Sequence, residues 1–267
     1  MASSETEKFE RTAQSYDDLL VPPVFQPFAK MIAEATAIPI GAKILDVGCG
    51  TGALTRELAV RVGEDGSVTG LDANPGMLAV AQRHGSGIDW QLGDAASLPF
   101  SDGVFDIVAS QFALMLFEDR EKSLREMWRV LSPEGRLTVA VFDQVVRNKA
   151  YGAIADIYEN RVGSEIANAL RFPFSLGDVS ELDALFENAG IAPYALKTVQ
   201  MTARFTSATD LAHADIKGWF PFAGFEVSQA DVDAIIEDLG REFAMRPDGD
   251  GSISFEVNAH IVTGTKS

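Results

Sequence analysis

The chain has 267 residues, 46% hydrophobic and 23% charged, with a formal net charge of −17. That length suits one elaborated α/β domain, or a core with a small satellite, and the apolar share is enough for a large buried core. Lys and Arg are scattered singly with no basic stripe, so no nucleic-acid partner is expected, and the acidic excess reads as a solubility charge.

The N-terminus, MASSETEKFERTAQSYDD, is polar and lacks the apolar stretch of a secretory signal; it reads as an arm entering a helix. Prolines at 22, 23 and 27 then predict a break, with a helix resuming near Pro27 and ending near Thr36. From Lys43 the pattern alternates strictly. KILDVG is a short apolar strand, ALTRELAVRV an amphipathic helix and SVTGLD the next strand. NPGMLAVAQRH is a helix with Asn74 as N-cap and Pro75 at its first position. IDWQLGD and FDIVASQFAL are further strands. REKSLREMWRVL is a helix closed by a turn at SPEG, and GRLTVAVF is a fifth strand. Strands this apolar, alternating with helices, predict a parallel sheet covered on both faces.

After Phe142 the alternation stops. Residues 144–170 read as one or two helices, 172–178 as a loop, and DVSELDALFENAG as a helix stopped by Gly190. PYALKTVQMTARF is a strand, 207–247 is helical and aromatic, and SISFEVNAHIVTG is a last, clearly alternating strand. No apolar run approaches the ~20 residues that span a bilayer. With one cysteine, Cys49, there is no intramolecular disulfide, and the chain reads as soluble and cytoplasmic.

The chemistry gathers at ILDVGCGTGALTRELA, residues 44–59. Read as Gly48-x-Gly50-x-x-Ala53, with Asp72 following Gly50 by 22 residues, the stretch satisfies a dinucleotide fingerprint. The same glycines could serve a phosphate, another nucleoside or only a tight strand-to-helix turn. Three features bear on the choice. Asp46, at the end of the first strand, is badly placed beside a pyrophosphate on the helix N-terminus but well placed beside an ammonium. Asp94 in LGDAASLPF can accept from an adenine amine while the Ala95 amide donates to a ring nitrogen, although an acid there also suits a plain turn. FDIVASQFAL ends in small and polar residues, leaving room for a flat or zwitterionic ligand. An ammonium, a ribose and an adenine without phosphates describe S-adenosylmethionine.

On these residues the sequence resembles the class I S-adenosylmethionine-dependent methyltransferases, and within them the small-molecule branch that includes the ubiquinone and menaquinone enzymes. The resemblance is strong over 43–142 and moderate over 178–206 and 252–265. It implies a Rossmann-like, seven-stranded, mostly parallel sheet with the last strand antiparallel, helices on both faces and a helical lid built from inserts. It divides the chain into an arm or lid at 1–42, a cofactor core at 43–142, a lid insert at 143–177, a core helix and strand at 178–206, a second lid insert at 207–248 and a final strand at 249–267. Gly48, Cys49, Gly50 and Thr51 would approach the methionine part, anchored by Asp46. Asp72 would take both ribose hydroxyls, in competition with a simple helix-start role. Gly93, Asp94 and Ala95 would hold adenine, and Ser110 and Gln111 would line the methionine end. The bulky residue usual after the ribose acid is replaced by Ala73, which leaves the adenine floor to Met77 or Leu98. Cys49 itself reads as a small packed residue, with no His or Lys near it in sequence.

The implied activity is methyl transfer to an O, N or C atom of a small, largely apolar or aromatic metabolite. A nicotinamide-dependent oxidoreductase and a catalytically silent binding module are the alternatives. The acceptor site is expected from elements outside the core: Phe25, Arg171, Phe172, Trp219 and Phe222, whose aromatic character suits an apolar acceptor, helps bury lid helices, or serves a dimer contact. Monomer and homodimer both fit. His213 is the candidate base and Tyr16 a candidate for touching cofactor or acceptor. His84 and His260 have no assigned role, and no cluster has metal-ligand spacing, so no metal is expected.

Overall fold

The structure, a computed structural model, describes residues 2–85, 87–243 and 251–267, with side chains from residue 7 onward. Seven strands form one sheet: β1 (Lys43–Val47), β2 (Ser67–Asp72), β3 (Asp89–Leu92), β4 (Phe105–Gln111), β5 (Leu131–Phe142), β6 (Tyr194–Phe205) and β7 (Ile253–Thr265). Their order is β3-β2-β1-β4-β5-β7-β6. The first five run parallel, and β7 lies antiparallel between β5 and β6. The Rossmann-like sheet with its reversed last strand is therefore present. Ile44, Leu45, Val47, Ile107 and Val108 are sealed from solvent, as strands covered on both faces require.

Helices α3 (Ala53–Val62), α4 (Pro75–Ala81) and α5 (Arg120–Val130) connect the parallel strands, and α8 (Val179–Asn188) precedes β6. Strand order reverses between β1 and β4, and a crevice opens there beyond the carboxyl ends of the strands. SPEG, expected as a turn, is carried within β5 as an irregularity. Pairing jumps from Phe105 with Leu131 to Ile107 with Arg136, and Glu134 takes a left-handed φ of 63°.

The prolines near the N-terminus do not break the chain's helical path. α1 (Ala2–Leu19) leads through a π-helical turn (Val21–Phe25) into α2 (Gln26–Thr36). Proline occupies the first positions of both later segments, where a missing N–H has no helical partner to lose.

The remaining helices are α6 (Lys149–Val162), α7 (Ser164–Arg171), α9 (Ala208–His213) and α10 (Gln229–Phe243), with a second π-helical stretch at Ala214–Trp219. They rest on an overhang of the sheet. β6 and β7 pair from Tyr194 with Gly264 to Phe205 with Ile253, whereas β5 stops at Phe142 opposite Ala259. Residues 253–258 therefore rise past the end of β5. There Phe255 meets Tyr151 of α6 edge-on, with centroids 5.4 Å apart, and Phe243 of α10 at 5.7 Å. The second π-helical stretch lies against α1 because Gly218 carries no side chain: a Cβ there would come within 3.2 Å of the Tyr16 Cα. The expected lid boundary at 248 and strand start at 249 lie outside the described residues.

Candidate active site

The turn from β1 into α3 is bare backbone for two reasons. At Gly48, φ is +70° and an added Cβ would overlap that of Ala113. At Gly50, φ is +55° and nothing lies within 4 Å of where a Cβ would sit, so this face of the loop is open. It opens into a cavity of about 780 Å³ at the carboxyl edge of the sheet.

Asp46 points into this cavity from β1. It pairs with Gly70 on one side and Ala109 on the other, and such small neighbours leave space for a carboxyl between strands. Thr55 donates to Oδ2 at 2.6 Å, but Oδ1 is sealed and has no hydrogen-bond partner. Burial, and then the nearby Asp72 carboxylate, push Asp46 up to about 7. A buried orphan acceptor of this kind is ready for a donor or cation.

Asp72 ends β2. Its two oxygens accept from the Gly50 and Asn74 amides, each at 2.8 Å, while burial raises its pKa. Asn74 caps α4, accepting from Gly76 at 2.8 Å, so Asp72 is not the helix cap. Each Asp72 oxygen retains a lone pair for a second donor. Asp94 is exposed at the cavity edge and accepts from the Ala96 amide at 2.9 Å, a turn interaction, with Gly93 and Ala95 beside it. Cys49, Thr51, Ala73 and Met77 also line the cavity; Leu98 does not. Burial holds the Cys49 thiol well above its ordinary value, which suits packing rather than nucleophilic attack. Gln111 lines the cavity with an unpartnered Oε1, its amide donating to the Phe25 carbonyl at 3.1 Å.

The opposite wall is aromatic. Phe112 stacks face to face on Phe142 with centroids 3.8 Å apart and planes 3° from parallel. Phe25 tilts against both, Tyr16 stacks on Phe25 at 5.0 Å, and Phe222 meets Tyr16 edge-on. Trp219 and Phe172 complete this side, so the N-terminal segment and both inserts do converge on the glycine loop.

Three expected residues lie elsewhere. Ser110 is fully buried and donates to the Val47 carbonyl at 2.8 Å, bonding β4 to β1 beneath the cavity. Arg171 points outward to Asp156 and Glu159, at 2.8 and 2.7 Å. His213, at the end of α9, is not among the lining residues; burial and then Lys217 lower its pKa. The lining instead contains Asp215, two residues further on, together with Tyr151, Phe112 and Phe142. The signal for Asp215 was an acid inside the mostly apolar run LAHADIKGWF.

Among the described residues, five carboxylates line the cavity (Asp46, Asp72, Asp94, Glu118 and Asp215), and no Lys, Arg or His does. Such a field opposes a diphosphate and favours a cation. The family described as Methyltransferase domain matches residues 45–139. The ubiquinone/menaquinone biosynthesis C-methyltransferase UbiE of Cronobacter sakazakii is 34% identical over 171 residues, covering 60% of this chain and 68% of that protein.

The chain belongs to the class I S-adenosylmethionine-dependent methyltransferases.

A second relative of this methyltransferase is the 2-phytyl-1,4-naphtoquinone methyltransferase of Thermosynechococcus vestitus, 39% identical over 140 residues, or 50% of this chain and 62% of that one. Among solved structures, the YcgJ protein of Bacillus subtilis shares the fold with a TM-score of 0.57 at 22% identity, covering 89% of this chain and 97% of that one. The methyltransferase takes its methyl group from S-adenosylmethionine and acts on a small molecule. Neither an oxidoreductase nor a silent binding module is favoured. No described helix is long and apolar enough to cross a membrane, and no described residues form a metal-binding group.

Proposed function

We propose that this methyltransferase alkylates a ring carbon of a small hydroxylated aromatic compound, a quinol being the nearest chemistry. The observation that carries this reading is the aromatic wall facing the glycine loop: the Phe112–Phe142 stack with Phe25, Trp219 and Phe222 makes a slot suited to a flat ring. The two relatives named for quinone methylation support the ring class, and the one named a C-methyltransferase supports carbon as the site.

S-adenosylmethionine fits the carboxylate end. Asp46, with its orphaned Oδ1, would answer the cofactor's ammonium, the spare lone pairs of Asp72 would take its ribose hydroxyls, and Gly93–Ala95 with Met77 would hold its adenine. The open face of Gly50, with Cys49, Thr51 and Gln111 beside it, would receive the methionine part. When bound, the cofactor supplies a methyl group on a positively charged sulfur, already activated for displacement. What remains for the chain is to hold the acceptor in line and keep water out, which can be worth an effective molarity on the order of 10⁵ M. The described parts of the segments 1–42, 143–177 and 207–248 would act as the lid that does this.

The test is turnover. The purified chain, given S-adenosylmethionine and a panel of hydroquinones, naphthols, aromatic amines and aliphatic amines, should add one methyl to a ring carbon of a hydroxylated member, located by NMR. Methylation of the amines alone would remove the ring-carbon reading.

A further inference from the structure

Asp215 has a buried carboxyl with one oxygen left without a hydrogen bond. It sits in the π-helical stretch Ala214–Trp219, is 2% exposed and lines the aromatic side of the cavity. Its Oδ2 is sealed and has no hydrogen-bond partner. From α6, Tyr158 and Tyr151 face it, both with their hydroxyl ionisation pushed up by burial and by this carboxylate. The Tyr158 hydroxyl lies close enough to favour the charged carboxylate, although neither it nor Oδ2 meets a partner at full hydrogen-bond geometry. α1 brings Tyr16 to the same cavity, the turn Phe220–Ala223 brings no ionisable group, and His213 and Lys217 flank Asp215 along its own stretch. No described cation lines the cavity. A buried carboxyl with an unsatisfied oxygen is costly, and π-helical turns tend to occur at functional sites. Gly218, three residues on, lets this stretch press on α1 at Tyr16.

We propose that Asp215 is a catalytic residue that accepts the proton of the acceptor's ring hydroxyl. The assignment deepens the hydroxylated-aromatic reading and rests on it. The hydroxyl proton passes to the carboxylate, and the oxygen's electron pair moves into the ring. The ring carbon bonds to the methyl group as the carbon–sulfur bond breaks, its electron pair staying on sulfur. The displaced ring proton leaves to water, and Asp215 returns its proton to the oxygen, restoring both the aromatic ring and the carboxylate. Burial pushes Asp215 up to about 7, the range in which a group can both take and return a proton near neutrality. Because the working form is the carboxylate, turnover falls as pH drops below about 7.

Two measurements on the full chain test this. In the presence of S-adenosylhomocysteine, calorimetry should find 1-naphthol bound about tenfold more tightly than 1-methoxynaphthalene, the difference of one hydrogen bond to a charged acceptor. Asp215→Leu should abolish that preference while S-adenosylhomocysteine affinity stays within about twofold. Equal binding of the two probes by the parent, or tighter binding of 1-(aminomethyl)naphthalene than of 1-naphthol, overturns the assignment. With a methylated acceptor in hand, Asp215→Asn, which keeps the shape, should lower kcat by about a hundredfold or more with KM little changed, and should lose the fall in kcat below pH 7. Turnover within a few-fold of the parent overturns it. A parent that prefers 1-naphthol yet methylates no hydroxylated ring supports the Asp215 contact and removes the acceptor class instead.

Discussion

The two ends of the cavity are built in opposite ways. At the cofactor end the polar groups belong to strand ends and are held by backbone: Asp72 by the Gly50 and Asn74 amides, Asp46 by a strand register that surrounds it with Gly70 and Ala109. At the end proposed for the acceptor the walls come from Phe112 and Phe142 at the ends of β4 and β5, together with α1, two π-helical turns and the lid segments. They are held by ring contacts, and the Asp215 Oδ2 has no hydrogen-bond partner. Backbone register is shared by every protein with this sheet, so the first end suits a common cofactor. Side-chain packing can be rearranged residue by residue, so the second end suits a substrate particular to this chain.

That contrast can be broken or sharpened by substitution. The largest effect is expected at Phe142→Ala, which removes a 4% exposed ring stacked on Phe112: about 3–5 kcal/mol of stability by chemical denaturation. A loss below 1 kcal/mol would mean the aromatic wall is not packed as described. Asp72→Ala comes next. It should weaken S-adenosylhomocysteine by about 1–3 kcal/mol in calorimetry, the cost of a charge-assisted pair, with the fold intact by circular dichroism. Unchanged affinity would remove Asp72 from the cofactor end.

Smaller and pH-dependent is the effect at Asp46. Its carboxyl lies near 7 in the free protein, and a bound ammonium favours the charged form. S-adenosylhomocysteine affinity should therefore fall by about tenfold for each pH unit below 7, and Asp46→Asn should flatten that profile. An equally steep profile in the variant would point to another group. The same raised pKa has a stability consequence: the free protein should lose stability as pH rises from about 4 through about 7, and bound cofactor should recover it. The smallest effect is expected at His213→Ala: turnover within about twofold of the parent, because His213 is not among the cavity-lining residues. A large loss of kcat with unchanged stability would return His213 to the site.

The amino-acid order alone was enough for the parallel sheet, its helices and the carboxylates at the strand ends. Hydrophobic alternation sets which residues face the core, and a strand's last residue must lie at the sheet edge. It also carried the cap at Asn74, a local hydrogen bond between near neighbours in the chain. Three matters needed the tertiary structure. The prolines at 22, 23 and 27 became first positions of helical segments, because α1 and α2 had surfaces on which to pack. Arg171 turned outward to Asp156 and Glu159, since a guanidinium finds a better partner at the rim than in an apolar slot. The choice between His213 and Asp215 was decided by a π-helical turn pressed on α1 at Gly218, a contact between parts of the chain some two hundred residues apart. Local patterns set the period of each element, whereas which of two neighbouring residues enters a cavity depends on the surface that the element meets.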